Sequence, residues 1–161
     1  MIKVLLFDLS WTILFPKDET YGGELNLLHR QLSSKPGYDF SKHFYLNEET
    51  IKYLESLKGK AGLYIFTSGK IQNAPEIRPK LDSIFNKIYS AEEIGLGKKN
   101  PESYKSVVKD LKVKPSEILF IDDMEGNVEA AKQAGLNAVV FQNLDKLKKD
   151  LQEHLYSRRQ N

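Results

Sequence analysis

Five short apolar runs alternate along this chain with longer segments of helical periodicity. The runs are IKVLLF at 2–7, GLYIF at 62–66, KIYS at 87–90, ILFI at 118–121 and AVVF at 138–141, and KIYS is the weakest of them. Continuous apolar runs of this length are typical of strands that are covered on both faces. The pattern therefore predicts a buried parallel sheet of about five strands.

Four segments between these runs carry the periodicity and the end signals of helices. They cover 46–59, 101–111, 125–136 and 143–156. Asn47 is a typical N-cap, Gly59 is a typical stop, and Pro101 suits the first turn of its helix. Alternation of strands and helices predicts an α/β fold, here a Rossmann-like parallel sheet with helices on both faces.

Residues 13–45 interrupt the alternation directly after the first strand. They contain a turn-rich piece (PKDETYGG), a short helical piece (ELNLLHRQLSS) and an aromatic-rich piece (YDFSKHFY). We predict a small insert with one helix, which is either a covering loop or a lid over the end of the first strand. Its aromatic side chains either line the mouth of a site or pack the insert onto the core; they are Tyr21, Tyr38, Phe40, Phe44 and Tyr45.

Composition narrows the classes of protein that fit. A length of 161 residues favours one domain. The chain has no cysteine and three histidines without ligand-like spacing, which excludes disulfides and thiolate metal sites and disfavours zinc. A net charge of +2 is too small to indicate a nucleic-acid partner. No apolar run approaches the ~20 residues of a membrane span, and no signal-peptide pattern is present, so we expect a cytoplasmic protein.

Polar side chains stand where the predicted strands end, at the edge where open parallel sheets bind ligands. An acidic cluster without cysteine or histidine suits a hard cation such as Mg²⁺. A carboxylate beside the metal would attack phosphorus, and the metal and a lysine would stabilise the transferring phosphoryl group. The side chains concerned are Asp8, Thr67, Ser68, Asp122 and Asp123, with Lys98 and Lys99 before the helix at 101.

In order and spacing, these groups resemble the four motifs of the haloacid dehalogenase-like (HAD) hydrolase superfamily. The first motif, D-x-D-x-T, stands here as DLSWT at 8–12, and the others as Thr67 in IFTSG, Lys98 in GKKNPESY and the acidic pair in FIDDMEGNVEAAKQAGL. The resemblance spans residues 2–141. It implies a single HAD-like core domain over 1–161, with a small cap or flap insert at about 13–45, as in capless or minimally capped members.

The resemblance also implies a role for each matching residue. Asp8 would be the nucleophile and a ligand of Mg²⁺, and the backbone carbonyl of Ser10 a second ligand. Asp123 would be the direct third ligand, with Asp122 beside it. Thr67, Ser68 and Lys98 would bind the phosphoryl group. Asn127 would support the acidic pair, and the hydroxyl of Thr12 would hydrogen-bond to the turn after Asp8.

Ser10 departs from the motif, because phosphatases of the superfamily have aspartate there as the general acid and base. A hydroxyl is a poor substitute in a role that contributes about 10²–10⁴-fold. Three branches lack this aspartate. P-type ATPases have membrane and nucleotide domains, which this sequence does not show. Phosphonatases need a lysine from the cap, and residues 13–45 offer no clear candidate. Dehalogenases usually lose the acidic pair, which is present here.

Two functions follow from these observations. The first is a Mg²⁺-dependent phosphohydrolase that acts through an aspartyl-phosphate on Asp8, either slowly or on a substrate with a good leaving group. The alternative is a catalytically weakened protein that binds a metal and a phosphorylated ligand or partner in a regulatory role. The expected substrate is a phosphorylated small molecule or macromolecule, and a protein partner or a dimer remains open.

Trp11 stands where the family usually has glycine. It either narrows the site or wedges the turn, and we hypothesise that it shields the aspartyl-phosphate from water.

Overall fold

The computed structural model describes residues 1–156. Its strands are β1 (Val4–Phe7), β2 (Leu14–Pro16), β3 (Phe44–Leu46), β4 (Gly62–Thr67), β5 (Lys87–Ser90), β6 (Ile118–Asp122) and β7 (Asn137–Val140). Its α-helices are α1 (Leu25–Ser33), α2 (Glu48–Glu55), α3 (Arg78–Ile84), α4 (Ala91–Ile94), α5 (Pro101–Leu111), α6 (Glu125–Gln133) and α7 (Leu144–Tyr156). Short 3₁₀ turns cover Phe40–Lys42, Ile71–Asn73 and Pro115–Glu117.

Five of the strands form one parallel sheet in the order β5-β4-β1-β6-β7, which confirms the predicted fold class. β1 lies at the centre, where Phe7 pairs with Ile65 of β4 and Ile121 of β6. One residue further on, the Asp8 amide donates to the Ile121 carbonyl. The carboxyl ends of the three central strands, and the polar residues that follow them, therefore meet at one edge.

Two apolar cores cover the two faces of the sheet. Leu5 and Phe7 of β1 point into one core, which includes side chains of α2, α3 and α7. Val4 and Leu6 point into the other, which includes side chains of α5 and α6. This alternation follows from the period of two residues along a strand, and it explains why the strand sequences are apolar without a break.

The predicted helices are present, and two short ones were not predicted. α5 begins and ends where predicted, while α2 ends at Glu55, short of the predicted Gly59. α3 has no side-chain N-cap, and α4 has only four residues, too few to show a helical period, although Ser90 caps its amino end and Gly95 its carboxyl end. No helix within residues 1–156 is long and apolar enough to cross a bilayer.

The insert contains more than the single predicted helix. α1 is present, but β2 and β3 also pair antiparallel across the insert, with Leu14 opposite Leu46. Strands of three residues are too short to show a period in the sequence. Phe40 and Phe44 are buried against each other, with ring centroids 4.9 Å apart. Most of the insert's aromatic residues thus pack onto the core, while Tyr45 is 43% exposed.

Candidate active site

The chain turns sharply after Asp8. The amides of Thr12, Ile13 and Leu14 all donate to the Leu9 carbonyl, which closes a compact turn directly behind the aspartate. Ile13 and Leu14 are fully buried. The apolar side chains anchor the turn in the core, and Asp8 stays at the end of β1 with only 6% of its surface exposed.

Trp11 occupies a backbone conformation that favours glycine. Its φ of 63° lies in the left-handed region, which costs an L residue about 1–2 kcal/mol. The indole is half-buried: its Nε1–H donates to the Gly23 carbonyl at 3.0 Å, and its ring packs edge-on against Phe15. Trp11 therefore connects the turn after the candidate nucleophile to the insert.

Lys98 binds two carboxylates at the end of the sheet. Its Nζ lies 2.7 Å from Asp8 Oδ1 and 2.5 Å from Asp122 Oδ2, and the lysine is 4% exposed. Neighbouring Lys99 is exposed. An ammonium group has three N–H donors, so one remains for a ligand after both carboxylates are bound.

Aromatic rings surround the same ammonium group. The Nζ of Lys98 lies 5.6 Å from the ring centroid of Phe66 and 5.3 Å from that of Phe120. Tyr104 packs edge-on against both rings, and its hydroxyl donates to the Asn127 carbonyl. Cation–π attraction to the two ring faces offsets part of the cost of removing the lysine from water.

Burial dominates the electrostatics of the site. It raises the pKa of Asp8 well above its usual value, against the opposing effect of Lys98, and the charge of Asp122 adds to the rise. Burial also raises the pKa of Asp123, with a further contribution from Asp122. Burial lowers the pKa of Lys98, but Asp8 and Asp122 outweigh it, so the net shift is upward. The lysine is therefore held as a cation among acidic groups.

The two adjacent aspartates have different surroundings. Asp122 accepts hydrogen bonds from the Met124 amide at 2.8 Å and from Asn127 Nδ2 at 3.1 Å, in addition to the bond with Lys98. Asp123 is half-buried at the entrance to α6. Asp8, Asp122 and Asp123 each offer a carboxylate oxygen within 4.8 Å of the others, which is close enough to hold one metal ion.

Three predicted hydroxyl groups are buried without a hydrogen-bond partner among residues 1–156: those of Ser10, Thr12 and Thr67. The bond predicted between the Thr12 hydroxyl and the turn is thus absent from this part of the chain. Buried hydroxyls normally have partners, and Thr67, at the end of β4, lies on the strand beside Asp8. Ser68, the next residue, is exposed.

Sequence reasoning missed several residues that fix the loop after Thr67. Ser90 Oγ and Gln72 Nε2 both donate to the Gly69 carbonyl, at 2.8 and 2.9 Å. Asn26 Oδ1, from the insert, accepts from the amides of Lys70 and Ile71. Ser90 ends β5 and was detectable by the strand-end criterion applied to the other strands, whereas nothing in the local sequence marks Asn26.

A comparison with protein families decides the assignment. The model of the haloacid dehalogenase-like hydrolases matches residues 36–135 of this chain. The chain belongs to this family. The matched range holds Thr67, Lys98 and both aspartates of the acidic pair, while Asp8 lies before it.

Several curated relatives of this HAD-like hydrolase are named as hydrolases or phosphatases. A flavin mononucleotide hydrolase from Arabidopsis thaliana is 35% identical over 92 residues, which cover 56% of this chain and 38% of the relative. An enolase-phosphatase from Methylococcus capsulatus is 28% identical over 107 residues, which cover 60% of this chain and 44% of the relative. The chain thus spans less than half the length of these two relatives.

Solved structures show the same fold over nearly the whole chain. A HAD family enzyme from Bacteroides thetaiotaomicron, in complex with magnesium and inorganic phosphate, has a TM-score of 0.70 at 19% identity, and the match covers 91% of this chain and 99% of that one. A HAD-like family hydrolase from Porphyromonas gingivalis has a TM-score of 0.67 at 20% identity, with coverage of 95% and 99%.

Proposed function

We propose that this HAD-like hydrolase is a Mg²⁺-dependent phosphohydrolase with Asp8 as its nucleophile. The observation that carries the proposal is the buried cluster at the carboxyl end of the sheet, where Lys98 lies between Asp8 and Asp122. Buried ion pairs of this kind seldom add stability over apolar packing, so their presence favours a chemical role. The names of the curated relatives support the same reaction class.

The acidic cluster fits the proposed metal. Carboxylate oxygens within 4.8 Å of one another, without nitrogen or sulfur donors, suit a hard divalent cation. Asp8 and Asp123 would hold Mg²⁺ together with the Ser10 carbonyl, while Asp122 is already bound by Lys98, Met124 and Asn127. When bound, the cation would neutralise charge on the phosphoryl oxygens.

In this proposal, the side chains of the chain divide the reaction between them. A carboxylate oxygen of Asp8 forms a bond to phosphorus while the bond from phosphorus to the leaving oxygen breaks. Lys98 and the Thr67 hydroxyl bind the equatorial phosphoryl oxygens, since Lys98 retains an N–H donor and Thr67 has no partner in residues 1–156. Water then attacks phosphorus, which releases phosphate and restores the Asp8 carboxylate.

Ser10 determines which substrates suit this site. Its hydroxyl is a poor proton donor for the leaving oxygen and a poor base for the attacking water. The leaving group of an acyl phosphate is a carboxylate, which is stable as an anion at neutral pH because carboxylic acids have pKa values near 4. We therefore propose acyl phosphates or similarly activated phosphate esters as substrates, with slow hydrolysis of the aspartyl-phosphate.

The insert at 13–45 would act as a small cap on a single HAD-like core. The aromatic packing of Phe40 and Phe44 attaches it to the core, and Trp11 bonds to it next to the nucleophile. At this position the indole would also limit the access of water to the aspartyl-phosphate. Trp11→Gly should then speed hydrolysis of the intermediate, and an unchanged rate would rule this role out.

Hydrolysis of acetyl phosphate and of an aryl phosphate tests the proposal. Wild type with Mg²⁺ should cleave acetyl phosphate faster than the aryl ester, and chelation of the metal or Asp8→Asn should remove activity, the substitution by more than about 10⁴-fold. Ser10→Asp should raise turnover of the aryl ester by up to about 10²-fold because it supplies the missing acid and base.

The regulatory alternative is favoured by the same Ser10, and this assay separates the two. A wild type that is inactive on both substrates, with activity gained in Ser10→Asp, would indicate a protein that binds a metal and a phosphorylated ligand but does not turn over. Activity that persists in Asp8→Asn would contradict the assigned nucleophile.

A further inference from the structure

We infer that Asn26 is a positioning residue of the phosphate-binding loop, and that the segment 23–26 of the insert forms a fixed bridge over the site. The bridge has two attachments. At one end, the Gly23 carbonyl accepts from Trp11 Nε1 at 3.0 Å. At the other, Asn26 Oδ1 accepts from the amides of Lys70 and Ile71, both at 3.0 Å.

The attachments lie next to the proposed chemistry on two neighbouring strands. Trp11 is three residues beyond Asp8 at the end of β1, and Lys70 is three residues beyond Thr67 at the end of β4. The bridge therefore crosses from the nucleophile turn to the loop that carries the proposed phosphate ligand. The inference rests on the proposed function for its catalytic consequence, but not for its geometry.

The Asn26 side chain packs closely against Gly69 in the loop after Thr67. A Cβ at Gly69 would lie 2.6 Å from Asn26 Cγ, so any larger residue at position 69 would displace the Asn26 side chain from this contact. The Gly69 carbonyl also accepts hydrogen bonds from Ser90 and Gln72. Side chains of the insert (Asn26), of β5 (Ser90) and of the loop itself (Gln72) thus hydrogen-bond to one short loop.

The turn that leads into the bridge is braced by its own hydrogen bonds. Asp18 Oδ1 accepts from the amide of Thr20 at 2.9 Å and from its hydroxyl at 2.6 Å. The Tyr21 hydroxyl donates to the Glu24 carbonyl at 2.9 Å. These bonds support the inferred role of the segment as a bridge that holds the loop after Thr67 in place.

Loss of Asn26 should loosen the loop and weaken phosphate binding. Misplacement of a binding group by a fraction of an ångström is enough to reduce productive binding. For Asn26→Ala we expect KM for acetyl phosphate and Kd for inorganic phosphate with Mg²⁺ to rise by about tenfold, while kcat changes less. Asn137→Ala is the matched control, since Asn137 is also half-buried and makes two hydrogen bonds, but at the amino end of β7.

Tryptophan fluorescence gives a readout that does not depend on activity. The signal reports on one end of the bridge, because Trp11 is the one tryptophan of the chain. Asn26→Ala should increase quenching of Trp11 by acrylamide. Asn26→Asp should restore the wild-type value, since its carboxylate accepts the same two amides. Gly69→Ala should behave like Asn26→Ala, because the added methyl displaces the Asn26 side chain.

The outcomes separate this inference from the proposed function. If Asn26→Ala and Gly69→Ala leave both the quenching and the Kd for phosphate at wild-type values, the bridge does not position the loop and the inference is wrong. If quenching and phosphate affinity change as expected while wild type hydrolyses neither substrate, the bridge stands and the proposed reaction fails.

Discussion

The two ends of the parallel sheet hold their charges in opposite ways. At the amino end, Lys87 pairs with Asp110 at 2.7 Å, and about half of each side chain is exposed to solvent, 52% and 51%. At the carboxyl end, the side chain of Lys98 is 2% exposed and binds the side chains of Asp8 and Asp122, which are 8% and 0% exposed. The ion pairs at the two ends therefore have similar N–O distances but differ strongly in their exposure to solvent.

This difference indicates what each end of the sheet does. Exposed ion pairs are screened by water and contribute little to stability. Buried ones lose the hydration of every charge, and the mutual attraction often fails to compensate. A cluster of three carboxylates and one ammonium at the carboxyl end is therefore poorly explained by stability and well explained by ligand chemistry.

The largest expected effect comes from removal of the central cation. Lys98→Met keeps most of the volume but leaves Asp8 and Asp122 without their shared partner, so we expect a loss of about 3–5 kcal/mol in the free energy of unfolding. Denaturant unfolding measures it, with Lys87→Met as the matched control. Equal small losses in both variants would mean that the two ends do not differ energetically.

A second test adds a cation to the carboxyl end. At a Mg²⁺ concentration of 100 times Kd, binding should stabilise the fold by about 2.7 kcal/mol, which thermal unfolding detects as a rise in Tm. Asp123→Asn should remove most of the rise. Because burial raises the pKa of Asp8, protons compete with the metal for this carboxylate at a higher pH than for an ordinary aspartate, and the rise in Tm should shrink as the pH falls. A rise in Tm that survives Asp123→Asn would place the metal elsewhere.

The smallest expected effects come from replacing one aspartate at each end of the sheet. Burial raises the pKa of Asp8, so its charge is unfavourable in the fold, and Asp8→Asn should raise Tm slightly while it removes activity. Hydrogen bonds from Lys87 and Tyr89 lower the pKa of Asp110, so its charge is favourable and Asp110→Asn should lower Tm slightly. Changes of the same sign in both variants would contradict the comparison.

Much of this arrangement was predictable because it depends on local signals. The apolar runs predicted all five strands of the sheet, and the rule that ligands bind at strand ends brought Asp8, Thr67 and Asp122 to one edge. Lys98, by contrast, was selected over Lys99 by family resemblance, since the burial that distinguishes the two lysines is a property of the folded chain.

What could not be predicted depends on contacts between distant segments. β2 and β3 are separated by 27 residues and have three residues each, so their pairing has no periodic signal. Asn26 contacts Lys70 and Ile71 across 44 and 45 positions. The left-handed backbone of Trp11 is likewise set by the hydrogen bonds of the turn around it. The glycine that the family usually has at this position suits the same backbone conformation.

The most direct test of the central claim is a search for the phosphorylated enzyme by intact-mass spectrometry after mixing with acetyl phosphate and Mg²⁺. Because Ser10 cannot act efficiently as a base, wild type should accumulate one phosphoryl group, and peptide mapping should place it on Asp8. Ser10→Asp should show much less of it at steady state, and Asp8→Asn none. A phosphoryl group on another residue, or equal labelling of Asp8→Asn, would contradict the assignment of Asp8 as the nucleophile.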